Sequence, residues 1–172
     1  VVWLLLVAIV IIGLFGGTLL FGAPFLPTLG LQTKVAIDLL GLNAGQTLLE
    51  LGSGDGRVLR AAAQRGIRSI GYEINPLLVL YSKSATFKYR KLVKIHWKNY
   101  WHITLPAADA IYVFLLNPYM QKLDDKIVQQ YKQPIKVVSF AFAFPNRKPT
   151  KEKNGVMLYN FAGVKETNRQ AA

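Results

Sequence analysis

The chain of 172 residues contains no cysteine, which excludes disulfides, thiolate metal sites and a cysteine nucleophile. Its 21 Lys+Arg against 9 Asp+Glu give a formal charge of +12, with the basic residues spread from Lys34 to the end rather than gathered in one block. Such a surface suits anionic partners (nucleic acid, acidic lipid headgroups or an acidic protein face), and it is equally what a plain solvated basic surface looks like.

Positions 1–22, VVWLLLVAIVIIGLFGGTLLFG, hold no charged residue. As a helix they reach roughly 33 Å, against a hydrocarbon core of about 30 Å. The apolar run is longer than that of a cleaved signal peptide, so the sequence predicts a single transmembrane anchor. The Lys/Arg-rich remainder then lies on the cytoplasmic side. Residues 23–44 read as a Gly/Pro-punctuated connector followed by an amphipathic helix, with Leu31, Val35, Ile37, Leu39 and Leu40 as its apolar positions.

From residue 45 to 163 strands and helices alternate. TLLEL (47–51) reads as a buried strand and GRVLRAAAQRG (56–66) as a helix stopped by glycine. RSIGYE (68–73) is a strand, PLLVLYSKSATFKYRK (76–91) a helix opened by proline, and VKIHW (93–97) a short strand. DAIYVFLL (109–116) is the unbroken apolar run of a strand covered on both faces. QKLDDKIVQQYK (121–132) is a helix, and KVVSFAFAF (136–144) and GVMLYNF (155–161) are the last strands. The end of the chain therefore reads as a single last strand at 155–161 and not as a hairpin. The pattern predicts an α/β, Rossmann-like, doubly wound and mostly parallel sheet. Residues 164–172 read as a frayed tail.

The first strand-to-helix turn, ELGSGDGR, carries Gly52, Gly54 and Gly56 at alternate positions, framed by Glu50 and Asp55. Ligands of such sheets bind at the carboxyl ends of the strands, where bare backbone admits close approach and the next helix offers free N–H groups. A dinucleotide fingerprint, G-x-G-x-x-G, would place its third glycine at Arg57. The second strand ends in GYEINP, where the Glu73 carboxylate can accept from both ribose hydroxyls of a nucleoside. Asn99, in KNYW after the third strand, is either an adenine contact or a turn residue. Tyr100 and Trp101 either flank a base or cover the sheet edge.

The E-x-G-x-G-x-G pattern resembles motif I of the class I S-adenosylmethionine-dependent methyltransferases. The resemblance implies S-adenosyl-L-methionine as cofactor, with the glycine turn beneath it, Glu50 at its methionine amino end and Glu73 at its ribose. LLNPYM (115–120) resembles the Asn/Asp-Pro-Pro-Tyr signature of amino-group methyltransferases, reduced to Asn117, Pro118 and Tyr119 with one proline missing. It implies catalytic positions there, while a simple strand-to-helix turn fits the same residues. GAPFLPT, LLELGSGDGRV, GYEINP and VVSFAFAFP together are similar to the membrane-anchored protein-lysine methyltransferases of mitochondria and their bacterial relatives. That likeness implies cofactor contacts at Thr28, Glu50, Gly52, Ser53, Gly54, Gly56, Glu73, Asn75 and Asn99, with Phe25, Pro27 and Thr28 near the mouth of the site. It implies a protein lysine as acceptor. A lipid, quinone or RNA acceptor with the same cofactor, and a non-catalytic membrane-tethered nucleoside-binding protein, stay open. His96 and His102 either accept a proton or are packing and surface residues, and the histidines and acids lack the spacing of a metal site.

Overall fold

The computed structural model describes residues 2–5 and 30–163. Residues 2–5 are helical; the rest of the expected anchor, the connector with Thr28, and the tail 164–172 lie outside the described residues. Among the described residues no helix is long and apolar enough to cross a membrane.

The domain begins with α1 (Gly30–Leu40) and continues as β1 (Thr47–Leu51), α2 (Arg57–Ala63), β2 (Arg68–Glu73), α3 (Pro76–Ala85), β3 (Val93–Trp97), β4 (Ala110–Val113), α4 (Asn117–Gln130), β5 (Ile135–Phe140), β6 (Lys151–Lys153) and β7 (Val156–Phe161). The seven strands lie in the order β3-β2-β1-β4-β5-β7-β6. β1 to β5 are parallel, and β7 runs antiparallel to both β5 and β6. The chain winds outward from β1 to β3, then crosses back to β4. The switch point therefore falls between β1 and β4, directly beside the glycine turn.

The alternation of side chains divides the core into layers. Leu48 packs with Val35, Ile37 and Leu40 of α1 and Val58 and Ala62 of α2. Leu49 and Leu51 point the other way, into a cluster with Met120, Leu123 and Ile127 of α4. All four residues of β4 are buried, as its unbroken apolar run predicts. The C-terminal end of α1 is held at the amino edge of the sheet, where Lys136 Nζ at the start of β5 donates to Leu40 O at 2.9 Å. A cation there also complements the helix dipole.

Several boundaries differ from the sequence reading. The final hairpin is complete: β6, with the sequence KEK, is exposed and pairs with β7 at the sheet edge. α4 begins at Asn117 rather than 121, because Pro118 fits the first turn of a helix, where no N–H is needed. β5 stops at Phe140, since Ala141 has φ 65° and the Ser139 hydroxyl bonds Phe142 O at 2.8 Å. β4 ends at Val113, α3 ends at Ala85 and is followed by a 3-10 turn at Phe87–Tyr89, and Leu31 of α1 is exposed.

Candidate active site

The site is assembled at the carboxyl ends of β1, β2 and β4. Gly52 N and Ser53 N both donate to Tyr72 O at 2.9 Å, so the chain leaving β1 folds directly onto the end of β2. Gly56 N closes the turn on Ser53 O at 2.8 Å, and Arg57 opens α2. The glycines do different work. Gly52 has φ +84°, and a Cβ built there would meet nothing within 4 Å, so its bareness faces open space on the ligand side. Gly56, also at positive φ, would bring a Cβ to 3.0 Å from Ser82 Cβ and 3.3 Å from Thr86 Cγ2. Its requirement is close packing of the turn on α3, so this glycine is explained by packing as well as by any ligand.

Two carboxylates face the turn from neighbouring strands. Glu50 pairs in register with Gly71, so Glu73, two residues further along β2, projects from the same face. Glu73 is buried and its carboxylate is already in use. Oε2 accepts from Gly54 N at 2.8 Å, and Oε1 accepts from Ile74 N and Asn75 N, each at 2.8 Å. A carboxylate offers about four acceptor positions. One is left, on Oε2, so Glu73 first serves as the clamp that holds the glycine turn against the tip of β2.

Glu50 is the converse. It is fully buried and its Oε2 has no hydrogen-bond partner. Burial, with the charges of Asp55 and Glu73 adding to it, pushes its carboxyl well above the usual carboxylate range. The nearby cation Arg57 is engaged by Asp55 instead (Nε to Oδ2 2.9 Å, Nη2 to Oδ2 2.5 Å). A buried, unpartnered carboxyl oxygen beside two further acids is a place for a cation. S-adenosyl-L-methionine carries two cationic centres, an ammonium and a sulfonium, and the residues present fit it.

The other sequence-predicted residues within the described range have these surroundings. Ser53 is buried and lies over Gly71, where a Cβ would come within 2.8 Å of Ser53 Cβ and 2.6 Å of Leu59 Cδ1. Asn75 caps α3, its Oδ1 accepting from Leu77 N at 2.9 Å. Asn99 likewise caps the 3-10 turn Tyr100–His102, accepting from Trp101 N at 3.0 Å. That turn presents a buried Tyr100, whose hydroxyl is held protonated by burial first and then by the charges of Glu73 and Tyr119. Tyr100 and Trp101 rings lie 4.8 Å apart, and Trp101 lies 6.5 Å from Tyr119. Asn117 and Pro118 are exposed at the first turn of α4, and Tyr119 is half-buried. Aromatics thus bridge the nucleoside side of the site to the Asn-Pro-Tyr turn. His96 stacks on Tyr72 at 5.3 Å and His102 is exposed. Among the described residues no cluster of His, Cys, Asp and Glu is built for a metal.

Three features escape a reading of the sequence. Gly71 lies inside a strand, and the room it leaves for Ser53 and Leu59 explains it. Phe114, Phe140 and Phe142 gather where β4 and β5 end, with ring centroids 4.9 and 6.1 Å from Phe114. Their signal was the aromatic spacing in IYVF and SFAFAF, which reads simply as strand. Gln32 Oε1 and Thr33 Oγ1, in the first turn of α1, are buried without partners.

The strand order, the glycine turn and the paired acids define a class I S-adenosylmethionine-dependent methyltransferase. Residues 50–151 match the family described as the ANTKMT methyltransferase domain, and the chain belongs to that family. It is 30% identical over 128 residues to the human lysine N-methyltransferase of the ATP synthase c-subunit, covering 73% of this chain and 54% of that protein. It is 32% identical over 128 residues to the mouse adenine nucleotide translocase lysine N-methyltransferase, covering 72% and 56%. The chain spans about half the length of these relatives. An RNA methyltransferase from Salinibacter ruber, solved in complex with S-adenosyl-L-homocysteine, superposes with a TM-score of 0.74 at 26% identity, covering 84% of this chain and 98% of that one. S-adenosyl-L-methionine is the cofactor of this class.

Proposed function

We propose that this domain transfers the methyl group of S-adenosyl-L-methionine to a lysine amine of a protein, and that it does so at a membrane. The observation that carries the reading is the likeness, across the segment bearing the site, to two lysine N-methyltransferases. The uncharged run 1–22 supports a single-pass anchor, with the basic domain on the cytoplasmic side.

When bound, the cofactor supplies a methyl group already activated on a sulfonium, so the chain's task is alignment and exclusion of water. Glu50 is assigned the ammonium end: its buried carboxyl gains a cationic partner and ionises. Gly52 to Gly54 let the cofactor approach the backbone, and the free position on Glu73 Oε2 takes one ribose hydroxyl. Gly56, Asn75 and Asn99 position these groups through packing and capping, and Thr28 remains assigned to the mouth. On the acceptor side, Asn117 accepts from the amine, and Tyr119 with the Phe114 cluster lines the carbon stem. An apolar lining strips water from the ammonium and lowers its pKa, so that its proton leaves to solvent and the freed lone pair would attack the methyl carbon as the sulfur–methyl bond breaks.

The test is transfer of labelled methyl from S-adenosyl-L-methionine by the full chain to a membrane fraction, with protein, lipid and RNA separated afterwards. N-methyl-lysine in hydrolysed protein supports the reading. Label confined to lipid overturns the lysine assignment. A second reading, methylation of RNA, draws on the near-complete coverage of the Salinibacter enzyme together with the +12 charge; label in RNA with none in protein would establish it.

A further inference from the structure

The exposed apolar surface of this domain is concentrated on one edge. Within residues 30–163, five of the seven large hydrophobic residues that stand exposed are Leu77, Leu80, Tyr81, Phe87 and Trp97. Leu77, Leu80 and Tyr81 share one face of α3 by their i, i+3, i+4 spacing. Leu80 is 70% exposed, and Phe87 and Trp97 are each 64% exposed. Trp97 is fixed at the N-terminal end of α3 by its Nε1 donating to Ile74 O at 2.9 Å. Phe87 follows the C-terminal end of the helix, with the Arg90 guanidinium 4.8 Å from its ring. The five residues therefore run along the whole outer side of α3, beside β3, the end strand of the sheet.

The charge around them has one sign. From residue 74 to residue 108 the chain has six basic residues (Lys83, Lys88, Arg90, Lys91, Lys94 and Lys98) and no Asp or Glu. All six are exposed. Protruding leucines flanked by Trp and Phe and rimmed by lysines form the pattern of a surface that enters the headgroup region of a bilayer. Aliphatic side chains add nothing to stacking on bases, and one arginine among six cations is poor in the planar donors that nucleic acid selects.

We propose that the α3–β3 edge docks on the surface of an anionic lipid bilayer, with Leu77, Leu80, Phe87 and Trp97 at the acyl boundary and the six cations among the headgroups. The inference rests on the membrane reading above and adds to it a second point of contact. Because Trp97 ends the strand that leads into the Tyr100–His102 turn, docking holds the mouth of the site close to the lipid plane, where a lysine of a membrane protein emerges.

The absence of cysteine allows a polarity-sensitive dye to be placed at one position in the full chain. Leu80→Cys reports docking, Val10→Cys reports the anchor, and Gln129→Cys, on the exposed side of α4, reports indiscriminate adsorption. The protein is reconstituted in vesicles of phosphatidylcholine alone, or with about a third of phosphatidylserine. The expected result is a blue shift at position 80 only with the anionic lipid, reversed by salt, with position 129 unchanged. Neutralising Lys88, Lys91 and Lys94 weakens docking about five-fold per charge. A dye at position 80 that stays in water while position 10 lies in lipid overturns the docking and leaves the anchor standing. Water at both positions overturns the membrane reading itself. Equal shifts at 80 and 129, or a shift at 80 caused by single-stranded RNA and not by vesicles, also overturns the proposal.

Discussion

Replacing Glu50 with glutamine should make the free protein more stable and the cofactor complex weaker. Glu50 is buried, and one of its oxygens has no partner. Its folded pKa lies above the ordinary carboxylate value near 4.5. For such a group the folded state keeps the proton after the unfolded state has lost it, so stability is full below about pH 4.5 and falls as the pH rises toward the folded pKa. The loss is about 1.4 kcal/mol per pH unit in that window, or about 3–5 °C of Tm per pH unit for a chain of this size. Glutamine has no proton to lose, so Glu50→Gln should show a Tm advantage that opens above pH 4.5 and then levels off. Binding should move the opposite way. Loss of a charge-assisted contact to the cofactor ammonium costs about 1.5–3 kcal/mol, a roughly ten- to hundred-fold rise in Kd. At a pH below the folded pKa of Glu50, wild type should also release a proton on binding, which appears as a buffer-dependent enthalpy in calorimetry and is absent in the variant. A Glu50→Gln protein whose Tm falls equally at every pH, or whose affinity is unchanged, refutes the assignment.

Gly71→Ala should cost about 1–3 kcal/mol in stability and weaken cofactor binding, because the new methyl displaces Ser53 and Leu59 and so tilts the glycine turn; unchanged calorimetric binding with lowered stability would separate the two effects. Gly52→Ala and Gly56→Ala should each lose about 1–3 kcal/mol of stability through positive φ, with Gly56→Ala losing more because its Cβ also meets Ser82, and Gly52→Ala, with open space at its Cβ, losing affinity as well. Arg147 is bound to the buried Asp124 through two contacts of 2.7 Å and lies 3.9 Å from the Phe161 ring. Arg147→Met should cost about 2–4 kcal/mol in denaturant melts while leaving cofactor affinity within a few-fold.

The parallel strands were legible because each is an apolar run between turn signals, and β1, β2 and β3 carry the bounds that the sequence predicts. The edge was not. β6 has three charged residues, KEK, and no apolar signal at all, since an edge strand pairs on one side only and uses charge to resist further pairing. The Asn117-Pro118-Tyr119 turn looked like a loop because its motif does, yet proline is at home in a first helical turn. In the site, residue types were legible and their partners were not. Glu73 was readable as an acid at a strand tip, and two of its bonds, from Ile74 N and Asn75 N, are local, but the third, from Gly54 N, depends on where the glycine turn lands, a long-range fact. Gly71 has no local signal, because its reason is Ser53 from another strand's end. The phenylalanines of β4 and β5 came together only because those strands are neighbours.

The clamp made by Glu73 has a consequence for how small molecules compete at this site. A single carboxylate ties the tip of β2 to the turn after β1 through Gly54 N and holds the β2–α3 turn through Ile74 N and Asn75 N, so the proposed nucleoside and amino-acid halves of the pocket share one side chain. A fragment occupying either half stiffens the other in advance. Adenosine-like and methionine-like fragments should therefore bind with positive cooperativity, and an inhibitor joining them should exceed the product of its parts. In the Glu73→Gln protein, where the amide offers one oxygen in place of two, that synergy should fade before either fragment's own affinity does.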